Sequence, residues 1–500
     1  MGFFNRTTTR RSRVRKEIDR PFADISWLAN PDVIYSALIW LLFVFLSVAV
    51  LGYDSIEQAA YGRLLATAIV VVLICLAAAF HVSQYQKRLL RNHARAAGLV
   101  ALFILLLAAA KISVAIAGQT FWATATAVAA ALILTIAYSQ RFAMAMILFY
   151  CVLAYFAAGR FASLNVLLTM IAAAAPYCFF VKEIRTRMKL LEVSLLAAVT
   201  AFLMAGAMEF LTSTRWSPDV LKVAGPNAAI TIVVGVLIQG LLPVLEKVFR
   251  IATSMTLLDY SDANQPLLRR LAMDAPGTFS HSLLIGSIAE AAAEAIGRNG
   301  LLCRVGSYYH DIGKINKPGY FVENQLGSVS WHKELSPAMS QLIIVGHVKD
   351  GMELAKEYGL PAVLRQFIEA HHGTTLVEYF YNEAVKQHEQ KDSSDAQPPS
   401  EGEFRYPGPK PRTKEAAIVM LADSAEGAVR SLSEPTPTKI EAVVHNMAMR
   451  RLQDGQFDEC DLSLRELSRI EASMSKTIAA HHHGRIAYPT PPEMPPEQEQ

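Results

Sequence analysis

The residues of this 500-residue chain with the richest chemistry lie between positions 281 and 423. They are His281 in Thr278-Phe279-Ser280-His281-Ser282, the adjacent pair His310-Asp311 in Tyr309-His310-Asp311-Ile312-Gly313-Lys314, His347 after Gly346, the pair His371-His372, and Asp423 in Leu421-Ala422-Asp423-Ser424. Five imidazoles and two carboxylates form a mixed nitrogen and oxygen donor set. Such a set suits Fe, Mn or Zn, whereas Ca²⁺ and Mg²⁺ prefer oxygen alone. Seven ligands exceed what one tetrahedral ion takes, and they suit two ions that share a bridging carboxylate. A single His in a helical segment is ordinarily a packing or surface residue, so the ordered series carries the meaning. Two divalent transition-metal ions are therefore expected, with Fe or Mn favoured.

The pattern around these residues is helical. Segments 282–296, 337–346, 350–358, 361–371, 376–388, 414–432 and 438–451 place apolar residues at three- and four-residue spacing, without sustained period-two alternation. Pro276-Gly277 precede the His281 helix, Gly297 and Gly300 follow it, and Gly359 precedes Pro361. Residues 389–413, with Pro398-Pro399 and Tyr406-Pro407-Gly408-Pro409-Lys410-Pro411, read as a long loop, either functional or disordered. The tail 489–500 is rich in Pro and Glu, the composition of a disordered segment. An all-α domain over 277–488, after a connecting segment 251–276, is the expectation.

Composition separates this half from the one before it. Overall the chain is 52% hydrophobic and only 18% charged, with a mean hydropathy of +0.27, outside the usual soluble range. Residues 1–250 hold 23 Lys and Arg against 11 Asp and Glu, a net of +12; the remainder holds 24 against 33, a net of −9. Eleven of the 13 histidines follow residue 250. The formal +3 averages an apolar basic half and an acidic half that does chemistry.

In the first half, apolar stretches near the length needed to cross a bilayer lie at 33–51, 64–82, 98–117, 121–138, 142–158, 162–181, 193–212 and 227–245. Lys and Arg collect in the tail 1–32 (Arg6, Arg10, Arg11, Arg13, Arg15, Lys16, Arg20), in 83–97 and in 182–192, while the alternate loops carry few. Positive loops stay cytoplasmic, so about eight spans with both termini in the cytoplasm of a plasma-membrane protein are expected. The basic leader and long first span do not fit a cleaved signal peptide. The outward loops are too short for a sensor domain, the longest being 213–226 with a Gly225-Pro226 turn. Lys111 and Glu209 fall within spans, either as a buried pair or ligand contact, or snorkelling to the interface. No internal repeat supports a transporter. Cys75, Cys151, Cys178, Cys303 and Cys460 show no CxxC spacing, which sets aside disulfides and zinc ribbons.

The motifs resemble those of the HD-domain phosphohydrolases, and among them the membrane-bound, seven-transmembrane-receptor HD family, whose characterised members are cyclic di-AMP phosphodiesterases. Over about 255–488 the resemblance rests on Asn264-Gln265-Pro266-Leu267-Leu268-Arg269-Arg270-Leu271, Ala275-Pro276-Gly277-Thr278, His310-Asp311-Ile312-Gly313-Lys314, His371-His372-Gly373-Thr374-Thr375, the Tyr406–Pro411 run and Met420-Leu421-Ala422-Asp423-Ser424. It implies that His281, His310, Asp311 and Asp423 bind one ion and His347, His371 and His372 the other, with Asp311 bridging. It also implies a cytoplasmic all-α HD domain after a multi-span α-helical membrane domain. Family members usually carry a large extracytoplasmic domain after the first span, and here only Gly52–Arg63 stands in that place.

Two cations about 3.5–4 Å apart can hold a hydroxide and clamp both oxygens of an in-line displacement at phosphorus. On a cyclic dinucleotide this releases a ribose 3′-oxygen, and the resemblance implies 5′-pApA as product. Lys314 is the candidate cation for a non-bridging phosphate oxygen, beside Asp311 as catalytic residue. His332 and His481-His482-His483 are better read as loop and surface residues. The partners expected are a cyclic dinucleotide and the lipid bilayer, with no nucleic-acid polymer and a homodimer left open. Cyclic di-GMP is the competing substrate, but the Gly-Tyr-Pro signature of the HD enzymes specialised for it is replaced by Gly373-Thr374-Thr375-Leu376. Hydrolysis of nucleoside tri- or tetraphosphates fits the motifs less well. A non-catalytic nucleotide-sensing receptor is disfavoured by the complete ligand set.

Overall fold

The structure is a computed structural model that describes residues 31–482 except 91, 182–183, 185, 214–218, 250, 326–330 and 391–397. The basic tail before residue 31, Arg215, His483 and the tail 489–500 therefore lie outside the described residues. The described chain is helical. It contains no strand among the described residues, only an isolated bridge between Leu376 and Arg405. It divides into two compact units, Met1–Phe249 and Arg250–Gln500.

Unit 1 holds eight apolar helices: α1 (Pro31–Glu57), α2 (Tyr61–Tyr85), α3 (His93–Ala117), α4 (Phe121–Ala137), α5 (Gln140–Ala157), α6 (Leu164–Phe180), α7 (Arg187–Ser213) and α8 (Asp219–Phe249). Each overlaps one of the eight apolar stretches in the sequence. Six are long and apolar enough to cross a membrane, and α4 and α6, at 17 residues, are shorter. These helices make unit 1 that of a membrane protein. α4 is the most enclosed, with Ala123 to Thr135 almost wholly buried, a length tolerable where neighbouring helices, not lipid, surround it.

Two expectations change here. Gly225-Pro226 is not a turn: both residues lie inside α8. Apolar helices tolerate such breakers; beside this one the Asn227 side chain donates to the Val223 carbonyl at 2.9 Å and accepts from Thr124 at 2.7 Å. Lys111 does not reach out alone, because its Nζ lies 2.5 Å from Asp54 Oδ2 near the end of α1. Between α1 and α2 only residues 58–60 remain as a connection.

Unit 2 comprises α9 (Ser254–Tyr260), α10 (Pro266–Asp274), α11 (Pro276–Ala295), α12 (Gly300–Tyr309), α13 (Pro337–Glu357), α14 (Ala362–Ala370), α15 (Glu378–Gln390), α16 (Lys414–Arg430), α17 (Pro437–Gln453) and α18 (Leu464–His482). Four of these begin with Pro in the first turn, where the missing N–H costs nothing. Asn299, Ser336, Thr413 and Thr436 cap the next-turn amides of α12, α13, α16 and α17. Residues 251–276 are not a mere connector. Leu257, Leu267, Leu268 and Leu271 pack with Val305, Tyr309, Ile312 and Leu364 in one core cluster. α16 is the spine of the other, packed by α11, α17 and α18.

Candidate metal centre and adjoining cavity

Five elements deliver the seven proposed ligands. His281 sits in the second turn of α11, His310 and Asp311 end α12, His347 lies within α13, His371 and His372 follow α14, and Asp423 lies within α16. The α13 position differs from the sequence reading, which split 337–346 from 350–358. One uninterrupted helix forms, and its Gly351 marks close packing: a Cβ there would lie 2.9 Å from Ile368 Cγ2 and 3.2 Å from Gly313 N.

Three imidazoles are fixed by the same device. The Nδ1 of His310 lies 2.6 Å from Ser307 O, that of His347 2.5 Å from Ile344 O, and that of His371 2.9 Å from Ile368 O. A ring nitrogen that faces a carbonyl must carry the proton, so Nε2 presents a lone pair. Those three Nε2 atoms converge on Asp311. His310 Nε2 lies 3.2 Å from Oδ2, while His347 and His371 lie 3.3 and 3.4 Å from Oδ1 and 3.2 Å from each other. Lone pairs so arranged repel one another and the carboxylate. His310 Nε2 and Asp311 Oδ1 are buried without any hydrogen bond, a cost a cation would remove.

The donors fall into two groups whose atoms all lie within 4.8 Å of one another: Asp311, His347, His371 and His372, and His281, His310 and Asp423. Asp311 turns Oδ1 to the first group and Oδ2 to His310 of the second. The residues therefore fit two metal ions, and which metal they would hold is not set by this geometry.

The electrostatics favour ligand-ready forms. Burial pushes the Asp311 carboxyl up, but His310 and Lys314 outweigh it and hold it well below the usual carboxylate range. Burial, with His371 and His347 beside it, keeps His372 neutral far below the usual imidazole range, and burial lowers His371 too. His281 goes the other way: burial opposes its charge, yet Asp423 and Glu426 raise it to about 10.

Lys314, in the 3-10 turn Ile312–Asn316, is held between two carboxylates, 2.6 Å from Asp311 Oδ2 and 2.8 Å from Glu323 Oε1. Glu323 also accepts from the Thr278 hydroxyl at 3.1 Å, tying this loop to the start of α11. Neither Glu323 nor Glu426 was singled out from the sequence. Tyr406 had been noted only as part of a Pro-rich run, and its ring stacks on His372 at 4.3 Å and 25°. Its amide donates to Thr375 O, so the described part of the 389–413 loop is laid down against the His-His segment.

A cavity of about 950 Å³ opens beside the ligands. Its walls include Lys314, Tyr320, Phe321, Phe380, Tyr406 and Arg430. His332 belongs to this wall, outside both donor groups, with Nε2 2.9 Å from Tyr320 O and its ring 5.0 Å from that of Phe380. His481 and His482 end α18 and join neither group.

The donor groups in an all-helical unit, after a unit of apolar helices, are the features on which known proteins can be compared. Residues 61–253 match the family described as 7TM receptor with intracellular HD hydrolase, and residues 278–428 match the HD domain. It is 46% identical over 254 residues to the cyclic-di-AMP phosphodiesterase PgpH of Bacillus subtilis (strain 168), covering 51% of this chain and 35% of the relative. It is 43% identical over 250 residues to the PgpH of Listeria monocytogenes serotype 1/2a, covering 50% and 34%. The chain spans about a third of the length of these curated relatives. Crystal structures of the L. monocytogenes PgpH HD domain, one in complex with cyclic di-AMP, align at 44% identity and a TM-score of 0.41, covering 44% of this chain and all of the other.

Proposed function

We propose that this protein is a metal-dependent phosphodiesterase that hydrolyses cyclic di-AMP to 5′-pApA at the cytoplasmic face of the membrane. The observation that carries the reading is the pair of donor groups, with Asp311 of the first reaching His310 of the second, beside an aromatic-walled cavity. Its relatives named as cyclic-di-AMP phosphodiesterases support the substrate. The basic N-terminal tail and about eight spans, with both termini cytoplasmic, belong to the same proposal.

His281, His310, Asp311 and Asp423 would hold one ion, and His347, His371 and His372 the other, with Asp311 common to both. When bound, the ions would supply Lewis acidity, lowering the pKa of water near phosphorus and offsetting charge on the phosphoryl oxygens. The chain's own groups do the rest. Carbonyl-fixed Nδ1 protons keep His310, His347 and His371 in the donor tautomer. Lys314 uses two ammonium donors on Asp311 and Glu323, leaving the third for a non-bridging phosphate oxygen. Flat bases suit the aromatic faces of the cavity.

Purified full-length protein in detergent should bind about two transition-metal ions and convert cyclic di-AMP to pApA faster than it converts cyclic di-GMP. Asp311→Ala should abolish turnover. Absence of metal, or turnover that survives Asp311→Ala, would sink the mechanism; preference for cyclic di-GMP would sink the substrate.

A further inference from the structure

Of the imidazoles in the donor groups, His281 is oriented differently from the three fixed by carbonyls. Its Nε2 faces Asp423 Oδ1 at 3.0 Å. Its Nδ1 faces no backbone carbonyl; Glu426 Oε2 lies 3.0 Å away, off the line of a hydrogen bond. Glu426 is 3% exposed. Its Oε2 has no hydrogen-bond partner, and the nearest cation to its other oxygen is Arg430, whose Nε lies 3.9 Å away.

A buried carboxylate costs several kcal/mol unless something compensates it, so its place behind one ligand calls for a reason. Asp423 and Glu426 are three residues apart on α16, on one face of the helix. One carboxylate thus meets the inner nitrogen of His281 and the other the outer nitrogen. We propose that Glu426 is a positioning residue that accepts the Nδ1 proton of His281, fixes the ring with Nε2 toward the centre, and strengthens binding of the ion held by His281, His310 and Asp423. This rests on the reading that the two groups bind metal. Carboxylates behind ligating imidazoles act in this way, and losing one typically weakens metal binding about 10–100-fold.

The test titrates the metal-loaded full-length protein in detergent with a chelator, reading metal per chain. Wild type should release two ions. In Glu426→Gln one ion should leave at a chelator activity about 10–100-fold lower than in wild type, while the other keeps its midpoint; Glu426→Asp should recover part of the loss. In a His281→Ala background, Glu426→Gln should change nothing further, because the two act through one contact. Thermal unfolding of the metal-free proteins separates a structural role: Glu426→Gln should still unfold in one cooperative transition, so that the shifted midpoint of one ion reports on that ion and not on loss of the fold. Unchanged midpoints for both ions, an equal loss of both, or full additivity with His281→Ala would overturn the proposal. Wild type that binds no ion would instead overturn the metal reading beneath it.

Discussion

Gly313 has no room for a side chain. A Cβ there would lie 1.8 Å from the His347 carbonyl oxygen and 2.5 Å from Gly351 N, backbone atoms that cannot swing aside. The Ile-Gly-Lys that follows His310-Asp311 is thus where the 3-10 turn lies flat on α13 and sets Asp311 beside His347. Gly313→Ala should cost about 1–3 kcal/mol, the usual range for overpacking, and should lower bound metal, as thermal unfolding and metal analysis would show. The ligand types were legible in the sequence because His-Asp, a lone His and His-His in order are rare together. Glu426 and Glu323 were not, since an acidic residue on an amphipathic helix or loop is ordinarily a solvated one. The only trace of Glu426 was its three-residue spacing from Asp423. Tyr406 could not be placed because its stacking partner His372 is distant in sequence.

At the scale of elements, α16 carries Asp423 and Glu426 and must not shift. Its first residue, Lys414, is buried and lies 2.5 Å from Glu466 in the first turn of α18. Burial works against the charge of Glu466, but Lys414 and the Ser463 amide and hydroxyl outweigh it and lower its pKa to about 2. A carboxylate depressed in the folded state stabilises above its unfolded pKa of about 4.3 and loses that contribution as pH falls through the folded value. Glu466→Gln should therefore lower stability by about 1 kcal/mol at pH 7, within the range for paired charges, and the gap from wild type should close between about pH 5 and 2. Thermal unfolding of metal-free proteins across that range checks it; a gap independent of pH would contradict it. Helix type was readable throughout from apolar spacing, but boundaries were not. α9, α10 and α12, of seven to ten residues, were not among the helical segments proposed from the sequence, because short helices give few turns of periodicity; α18 was not among them either. The segments 337–346 and 350–358 form one helix, α13, in which Gly351 serves close packing against Ile368 and Gly313.

For the whole molecule, the charge division at residue 250 falls beside the division into units after Phe249. That boundary was legible because the apolar basic half and the acidic half differ in composition and net charge. The Lys111–Asp54 pair was not, since it joins helices far apart in sequence. Five separate elements converge on the donor groups, so bound metal should hold unit 2 together as well as serve its chemistry. At a free metal concentration 100 times Kd, each ion adds about 2.7 kcal/mol to folding stability. Chelation should therefore lower the melting of the HD unit and expose it to protease, and restoring metal should reverse both; an unchanged melt would show the donors preformed without it. In a cell the convergence has a regulatory consequence. Scarcity of the ion would shorten the lifetime of the polypeptide as well as slow its turnover, making its abundance a record of metal supply.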